Sequence, residues 1–374
     1  MKRFVYADNA ATTKLDEEAL KSMMPYLIEE YGNISQPYSF SRKAKKAISA
    51  ARIMIAKCIN AEPDEIYFTS GGSESDNWAV KGFADYFNKG EIITSAIEHH
   101  AILNTCKKLK NLGRRVTYLS PNSEGIIFPE KLADLCESQN GLVSIMTANN
   151  EIGTIEPIAE LCSYAHQKGH IFHTDAVQAV GHIKLDVKSL KVDMLSASAH
   201  KFNGPKGIGF LYLKKGTRIC SLIDGGMQET GMRAGTENVA SIIGMAVALQ
   251  NNCEQIDTVK EYLLSLEDRL ICGLKEGNCD FIRNGASNHI PGNISLSFRN
   301  EDGERLMHRL DLVGICVSTG AACDSHNTQV SHVLKSIKCN KDYEKGTIRI
   351  SLSKYNSVDD VDYIVEKLKA ILGE

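Results

Sequence analysis

Apolar residues recur at helical spacing at Leu20, Met23, Met24, Leu27 and Ile28, and again at Ala44, Ala47, Ile48, Ala51 and Ile55. Both sets predict amphipathic helices. Ile66-Tyr67-Phe68-Thr69 is a short apolar run that stops at Ser70-Gly71-Gly72, which reads as a strand entering a turn. Val80, Phe83, Ala84 and Phe87 then mark the buried face of a following helix. Strand-like runs return at Glu91–Ile97, Arg115–Leu119, Leu142–Ala148, His170–Asp175, Met194–Ala199 and Gly209–Leu213. Helical segments separate several of them, including Ile158–Gln167, where Ile158, Leu161, Cys162 and Ala165 stay in phase. Strands alternating with helices predict an α/β domain with a mostly parallel, helix-covered sheet.

The pattern changes after about Ala246. Val259, Leu263, Leu266, Leu270 and Leu274 predict a long helix, Asn293–Phe298 a strand, and Val358, Val361, Ile364, Val365 and Leu368 a final amphipathic helix. This reads as a smaller α+β domain. A large domain over residues 14–250 is expected, with residues 1–13 and 251–374 forming the small one. A chain of 374 residues with 43% hydrophobic positions suits this division. No Pro/Gly-rich linker marks the boundary.

Charge and cysteine usage narrow the class. The formal net charge is −3, and no basic run or RNA-binding aromatic motif is present, so nucleic acid is not an expected partner. The 11 cysteines are scattered without any CxxC. That argues against a zinc cage or a secreted disulfide framework and for reduced thiols in a cytoplasm. The start, MKRFVYADNAATT, has no apolar core of a signal peptide, and no apolar run reaches membrane-spanning length.

Several short segments could carry chemistry. Thr69-Ser70-Gly71-Gly72-Ser73-Glu74-Ser75 lies between a strand and a helix. Its glycines let backbone N–H groups approach an anion at a helix start, and Ser73 could donate to a phosphate oxygen; a plain helix cap is the alternative. Asp175, in Phe172-His173-Thr174-Asp175-Ala176-Val177-Gln178, ends an apolar strand where open α/β sheets place ligands. A carboxylate there needs a cation, for which a protonated pyridine nitrogen would serve, with Gln178 bonding the same ring's oxygen; a capping acid is the alternative. Lys201 follows Ser198-Ala199-His200 at another strand end and precedes Gly/Pro punctuation. A desolvated lysine has a depressed pKa and forms Schiff bases. Ser198 and His200 could bind a phosphate beside it. An exposed turn lysine is the alternative, and Lys206 competes for the role.

Ser318-Thr319-Gly320-Ala321-Ala322-Cys323-Asp324-Ser325 sets Cys323 among small residues before a polar stretch, which suits an accessible nucleophile as well as an ordinary cysteine. His99 and His100 follow a strand. One of them could stack on a ring and shuttle protons, but neighbours on a strand face opposite ways and form no metal pair. Arg349 alternates with apolar residues in Thr347-Ile348-Arg349-Ile350-Ser351, facing either a substrate carboxylate or a structural acid.

The order of these segments resembles the NifS/IscS-type cysteine desulfurases of the class V aminotransferase group, within the fold-type I pyridoxal-phosphate (PLP) enzymes. The resemblance runs through Asp8-Asn9-Ala10-Ala11-Thr12-Thr13, the Thr69–Ser75 segment, Glu98-His99-His100-Ala101 and Asn149-Asn150-Glu151-Ile152-Gly153-Thr154. It continues through Asp175-Ala176-Val177-Gln178, Ser198-Ala199-His200-Lys201, Arg233-Ala234-Gly235-Thr236-Glu237-Asn238, Gly320-Ala321-Ala322-Cys323 and Ser331-His332-Val333-Leu334.

The resemblance implies a seven-stranded, mostly parallel sheet in the large domain and conversion of L-cysteine to L-alanine with sulfur passed to Cys323 as a persulfide. It implies that Lys201 holds pyridoxal 5′-phosphate and moves the substrate α-proton, and that Asp175 pairs with the ring nitrogen. Gln178 would bind the ring oxygen, and Gly72, Ser73, Ser198 and His200 the phosphate. Thr236 would reach the phosphate of a neighbouring subunit in a homodimer. His99 would stack on the ring and take the thiol proton, and Asn150 and Arg349 would hold the substrate carboxylate. The family also implies a sulfur-acceptor partner such as an iron–sulfur scaffold, with transient cluster ligation by Cys323; no other metal site is assigned.

Three positions depart from the family pattern. Ala321 stands where a Ser is usual. Asp324 follows the nucleophile and opposes thiolate formation. Thr230-Gly231-Met232 lacks a basic residue often found before Arg233. The interval from Cys323 to His332 favours the long-loop branch. A selenocysteine lyase of the same fold, an ordinary aminotransferase and a sulfur-carrying scaffold without the cofactor are the competing readings.

Overall fold

The computed structural model describes residues 3–133, 140–319 and 330–373. In chain order the strands are β1 (Val5–Tyr6), β2 (Ile66–Thr69), β3 (Ile92–Ser95), β4 (Val116–Leu119), β5 (Leu142–Ser144) and β6 (Ile171–Asp175). They continue with β7 (Met194–Ser198), β8 (Gly209–Leu213), β9 (Phe281–Asn284), β10 (Asn293–Phe298), β11 (Ile315–Cys316) and β12 (Thr347–Ser351). A seven-stranded sheet has the order β2-β8-β7-β6-β5-β3-β4. Its β4–β3, β3–β5, β5–β6 and β6–β7 pairs are parallel, and only β8 runs against its neighbours.

Strand composition explains why this sheet lies inside. Successive side chains point to opposite faces, and here both faces are apolar. Ile93, Val143, Leu195 and Phe210 join one core, with Ile48, Ile55, Leu161 and Leu249 from helices. Ile92, Leu142, Met194 and Leu211 join the other, with Trp78, Phe83, Ile102 and Leu109. The result is three layers, helix on sheet on helix. Each fully buried Leu, Ile or Phe contributes about 1.5–3 kcal/mol relative to exposure.

Helix α1 (Glu17–Ile28) starts at Asp16, whose carboxylate accepts from the Glu18 and Ala19 N–H groups. Only Ala19 and Met23 of α1 are buried; Leu20, Met24, Leu27 and Ile28 are exposed. The helical period is therefore correct, but the apolar face it implies is largely uncovered in the single chain. Helix α2 (Arg42–Cys58) buries Ala44, Ile48, Ala51 and Ile55, while α3 (Gly72–Tyr86) and α4 (His100–Asn111) cover the opposite face of the sheet.

A second, smaller structure combines antiparallel β12-β10-β9 with the parallel β1–β11 pair. Its core joins Leu296, Phe298, Ile348 and Ile350 to Leu263, Leu266, Leu270 and Leu274 and to Val361, Ile364 and Leu368 of the last helix, Val358–Leu372. The helix Val239–Glu276 runs unbroken for 38 residues. Ile242, Met245 and Leu249 belong to the large core, and Leu263 to Leu274 to the small one. The pattern change near residue 250 thus falls inside one helix, which ties the two cores together. No helix among the described residues is long and apolar enough to cross a membrane.

Candidate active site

Strands β2, β3, β5, β6 and β7 all deliver their carboxyl ends to one cleft, the usual ligand position in an open α/β sheet. The cleft has a volume of about 580 Å³ and is lined by Ala10, Gly72, Ser73, Asp76, His99, Asn150, Asp175, Gln178, Ser198, His200, Lys201, Lys206 and Arg349, among others. It therefore gathers most of the residues singled out in the sequence. Thr236 is exposed and does not line the cleft of its own chain. Cys323, with Ala321 and Asp324, lies outside the described residues.

The start of α3 forms one wall. Gly71, at φ +146, turns the chain out of β2, and no side chain caps the helix. Gly72 passes so close to Val177 that a Cβ would sit 2.6 Å from its Cγ2, so only glycine allows this approach. The helix start thereby presents backbone N–H groups to an anion, with Ser73, Ser198 and His200 around it. Glu74, also in the lining, accepts two hydrogen bonds from Arg233, of 2.8 and 3.0 Å. Burial opposes its charge, but the bonds from Arg233 and Ser70 hold its carboxyl below the usual range. Burial, with Lys201 and Lys206 nearby, lowers the His200 pKa to about 4. The neutral ring meets the Thr12 hydroxyl at 3.1 Å.

Lys201 follows β7 in a single 3-10 turn. Its Nζ donates to the carbonyls of Ala10 at 2.6 Å and Ala11 at 2.9 Å, so the amine is held inside the cleft, whereas Lys206 is exposed at its edge. Gln178 Nε2 donates to the same Ala10 carbonyl at 3.1 Å. Asp175 ends β6 and is buried. Burial raises its pKa, while His99, the Val177 N–H and Lys201 favour the anion. Its Oδ1 accepts from Val177 N at 2.9 Å.

The histidine pair sits at a helix start, not on a strand. His99 is the N-cap of α4, and its Nδ1 accepts from Ala101 N at 3.1 Å. The neutral ring then carries its proton on Nε2. Burial lowers the His99 pKa, with Lys201 and His100 adding to the effect and Asp175 opposing it. His100 stacks on His332, with ring centroids 4.9 Å apart.

On the opposite side, Arg349 of β12 is buried. Its Nη1 donates to Asn150 O at 2.8 Å and its Nη2 to Asp8 Oδ1 at 2.7 Å, while Nε has no hydrogen-bond partner. Of the two readings of this arginine the structural acid is present, Asp8, and the side chain also lines the cleft. Sequence reasoning did not single out Asp8 as that partner, nor Asp76 among the cleft acids. The nearest signal for Asp8 was its place at the head of the Asp8–Thr13 motif.

The donor set is an uncapped helix start, an inward amine, a buried carboxylate and an arginine with an open Nε. It fits a small aromatic cofactor bearing a phosphate, together with a substrate bearing a carboxylate. Residues 5–364 match the aminotransferase class-V family. The chain belongs to that family. Class-V relatives include a cysteine desulfurase IscS of Clostridium botulinum, 47% identical over 380 residues that span 100% of this chain and 96% of the relative. The IscS of Dictyoglomus turgidum is 48% identical over 375 residues, covering 100% of this chain and 95% of its own. Among solved structures, a NifS-like protein superposes with a TM-score of 0.94 at 38% identity, over 99% of this chain and 100% of that one. SspA, solved in complex with cysteine, superposes with a TM-score of 0.81 at 34% identity, over 94% of this chain and 100% of its own.

Proposed function

We propose that this class-V chain is a cysteine desulfurase: it converts L-cysteine to L-alanine with pyridoxal 5′-phosphate held by Lys201, and passes the sulfur to Cys323 as a persulfide. The observation that carries the reading is the convergence of the Lys201 amine, the Asp175 carboxylate and the uncapped start of α3 on one cleft. The full-length IscS relatives support the same activity.

When bound, pyridoxal phosphate supplies an electron sink for charge developing on the substrate carbon. The residues of the chain do the rest. Backbone N–H groups at Gly72 and Ser73, with the Ser73 and Ser198 hydroxyls and neutral His200, bind the phosphate. Asp175 would keep a proton on the ring nitrogen, and Gln178 Nε2 would donate to the ring oxygen. Arg349, with Asn150 beside it, takes the substrate carboxylate. Lys201 Nζ moves the α-proton. The Cys323 thiolate attacks the substrate sulfur, so that a sulfur–sulfur bond forms and the carbon–sulfur bond breaks. The electron pair stays on carbon, which is then protonated to give alanine.

His99 stacks on the ring and offers Nε2–H to the cleft. That atom already carries the ring proton, so taking the thiol proton there would cost His99 its cap on Ala101. Cys323 is five residues beyond Ser318, a reach of at most about 18 Å when extended. Ser318 exchanges backbone hydrogen bonds of 2.7 and 3.1 Å with Arg349 of the cleft lining. Thr236, exposed on its own chain, serves the phosphate of a second copy in a homodimer. The sulfur acceptor is a protein such as an iron–sulfur scaffold. The scattered cysteines, free among the described residues, suit a reducing, cytoplasmic setting.

The test is a cysteine assay without keto acid that measures alanine and sulfide, run beside a selenocysteine assay, with mass spectrometry of the Cys323 peptide. Alanine plus a persulfide on Cys323 is expected. Cys323→Ser should keep cofactor absorbance and lose the persulfide; sulfide release from cysteine at the wild-type rate by that variant would sink the nucleophile assignment.

A further inference from the structure

The floor of the cleft holds a second carboxyl that the reaction above does not use. Asp76, in the first turns of α3, is 1% exposed and lies with Asp175 in the cleft lining. Each carboxyl bears on the other's proton affinity: Asp175 raises that of Asp76, and burial is the larger cause for both. Oδ1 of Asp76 has no hydrogen-bond partner and lies 3.8 Å from His173 Nε2. His173 is not a counterion. Its ring nitrogens meet the Ser144 and Ser196 hydroxyls at 2.9 Å each, and burial pushes its pKa down to about 3. Glu98, from the turn after β3, adds a buried acid to the same floor. The cation and potential cation nearby, Lys201 and His99, act on Asp175.

Two buried carboxyls that bear on each other do not both carry charge, so the pair holds a proton. Asp175 has the anion-stabilising partners: the Val177 N–H at 2.9 Å, His99 and Lys201. Only Ser196 favours the anion at Asp76, and burial beside Asp175 drives its carboxyl strongly toward the neutral form.

We propose that Asp76 is a positioning residue: as a neutral acid it donates a hydrogen bond to Asp175 and keeps Asp175 the single anion aimed at the cofactor ring. The aim at a ring rests on the function proposed above; the shared proton does not. The bond also makes Asp175 a weaker base, which leaves the proton on the ring nitrogen instead of drawing it to the carboxylate.

The experiment begins with cofactor-free protein labelled with ¹³C at aspartate carboxyls and titrated by NMR. One aspartyl carboxyl still protonated at neutral pH is expected in the wild type and absent in Asp76→Asn. No such carboxyl in the wild type, which needs no variant to fold, overturns the proposal, as does its survival in Asp76→Asn. In the second arm the same apo proteins are titrated with pyridoxal 5′-phosphate and followed by absorbance. Asp76→Asn, which keeps a donor N–H, should bind within about threefold of wild type, and Asp76→Ala about tenfold more weakly. Equal losses in both variants would reduce Asp76 to packing and overturn its positioning role. A wild type that binds no cofactor removes the ring and the aim with it, while the labelled carboxyl still reports the proton.

Discussion

The floor of the cleft and its substrate rim are built by different means. The floor comes from consecutive strand ends of one sheet: Asp175 from β6, Ser198 and Lys201 from β7, and Gly72 just after β2. Parallel strands and the layers covering them fix these positions before any ligand arrives. The rim is assembled from remote parts of the chain. Arg349 meets Asp8 across 341 residues and Asn150 across 199, and it stands on a small antiparallel sheet outside the large one. A site divided in this way separates tasks. Under the proposed function the floor would hold the cofactor and set the rate of the chemical step, while the rim would hold the substrate carboxylate and set apparent affinity. Variants on the two sides should therefore fail differently.

The largest effect belongs to the floor. Lys201→Ala should abolish alanine formation, a loss on the order of a thousandfold or more. It should also remove the cofactor–lysine adduct that borohydride traps on the Lys201 peptide in the wild type. Recovery of that adduct on Lys206 in the variant would move the amine to the cleft edge and break the comparison. At the rim, Arg349→Lys keeps the charge but loses the planar fork. KM for cysteine should rise about 10- to 100-fold with cofactor absorbance unchanged. A fall in kcat with KM unmoved would show that the rim takes part in the chemical step. Asp8→Asn leaves the arginine in place but loosens its aim, and a smaller rise in KM, about three- to tenfold, is expected from the loss of one charged hydrogen bond. A KM equal to wild type would make Asp8 a passive neighbour.

The same division explains what could be read from the chain alone. Ile66–Thr69, Ile158–Gln167, Gly209–Leu213 and Asn293–Phe298 match the observed elements residue for residue, because their apolar runs end at clear turn or capping residues. The floor was legible because each of its residues follows such a run. The run ending at Ala148 was less so. The β5 strand stops at Ser144, although Ile145 and Thr147 still donate to β6 carbonyls at 3.1 and 2.8 Å. His99 and His100 looked like strand neighbours because nothing in Glu98-His99-His100 announces a histidine as a helix cap. Asp76 sits in the polar run Ser73-Glu74-Ser75-Asp76-Asn77, which resembles a solvated helix start; only the packing of α3 over the sheet end buries it. The Asp8–Arg349 pair has no local signature, since its two halves meet only after the small sheet forms.

One loop joins floor to rim, and it carries the smallest predicted effect. Asn150 lies in a hairpin that closes through the Ala148–Ile155 bridge and the Glu156 N–H to Thr147 carbonyl bond of 2.9 Å. At its base the Glu156 carboxyl accepts from Ile127 N at 2.8 Å, while its other oxygen has no partner. Burial raises its pKa to about 8, with the Ile127 bond opposing. The folded chain therefore binds this proton more tightly than the unfolded chain, whose Glu titrates near about 4.3. The stabilising contribution is complete below that value and is lost as pH rises toward 8. Glu156→Gln keeps an acceptor for Ile127 and has no charge to bury. Its melting temperature should match wild type near pH 5 and exceed it by a few degrees near pH 9. A constant difference at both pH values would mean that Glu156 is already ionised in the fold, and that the hinge between floor and rim tolerates a charge.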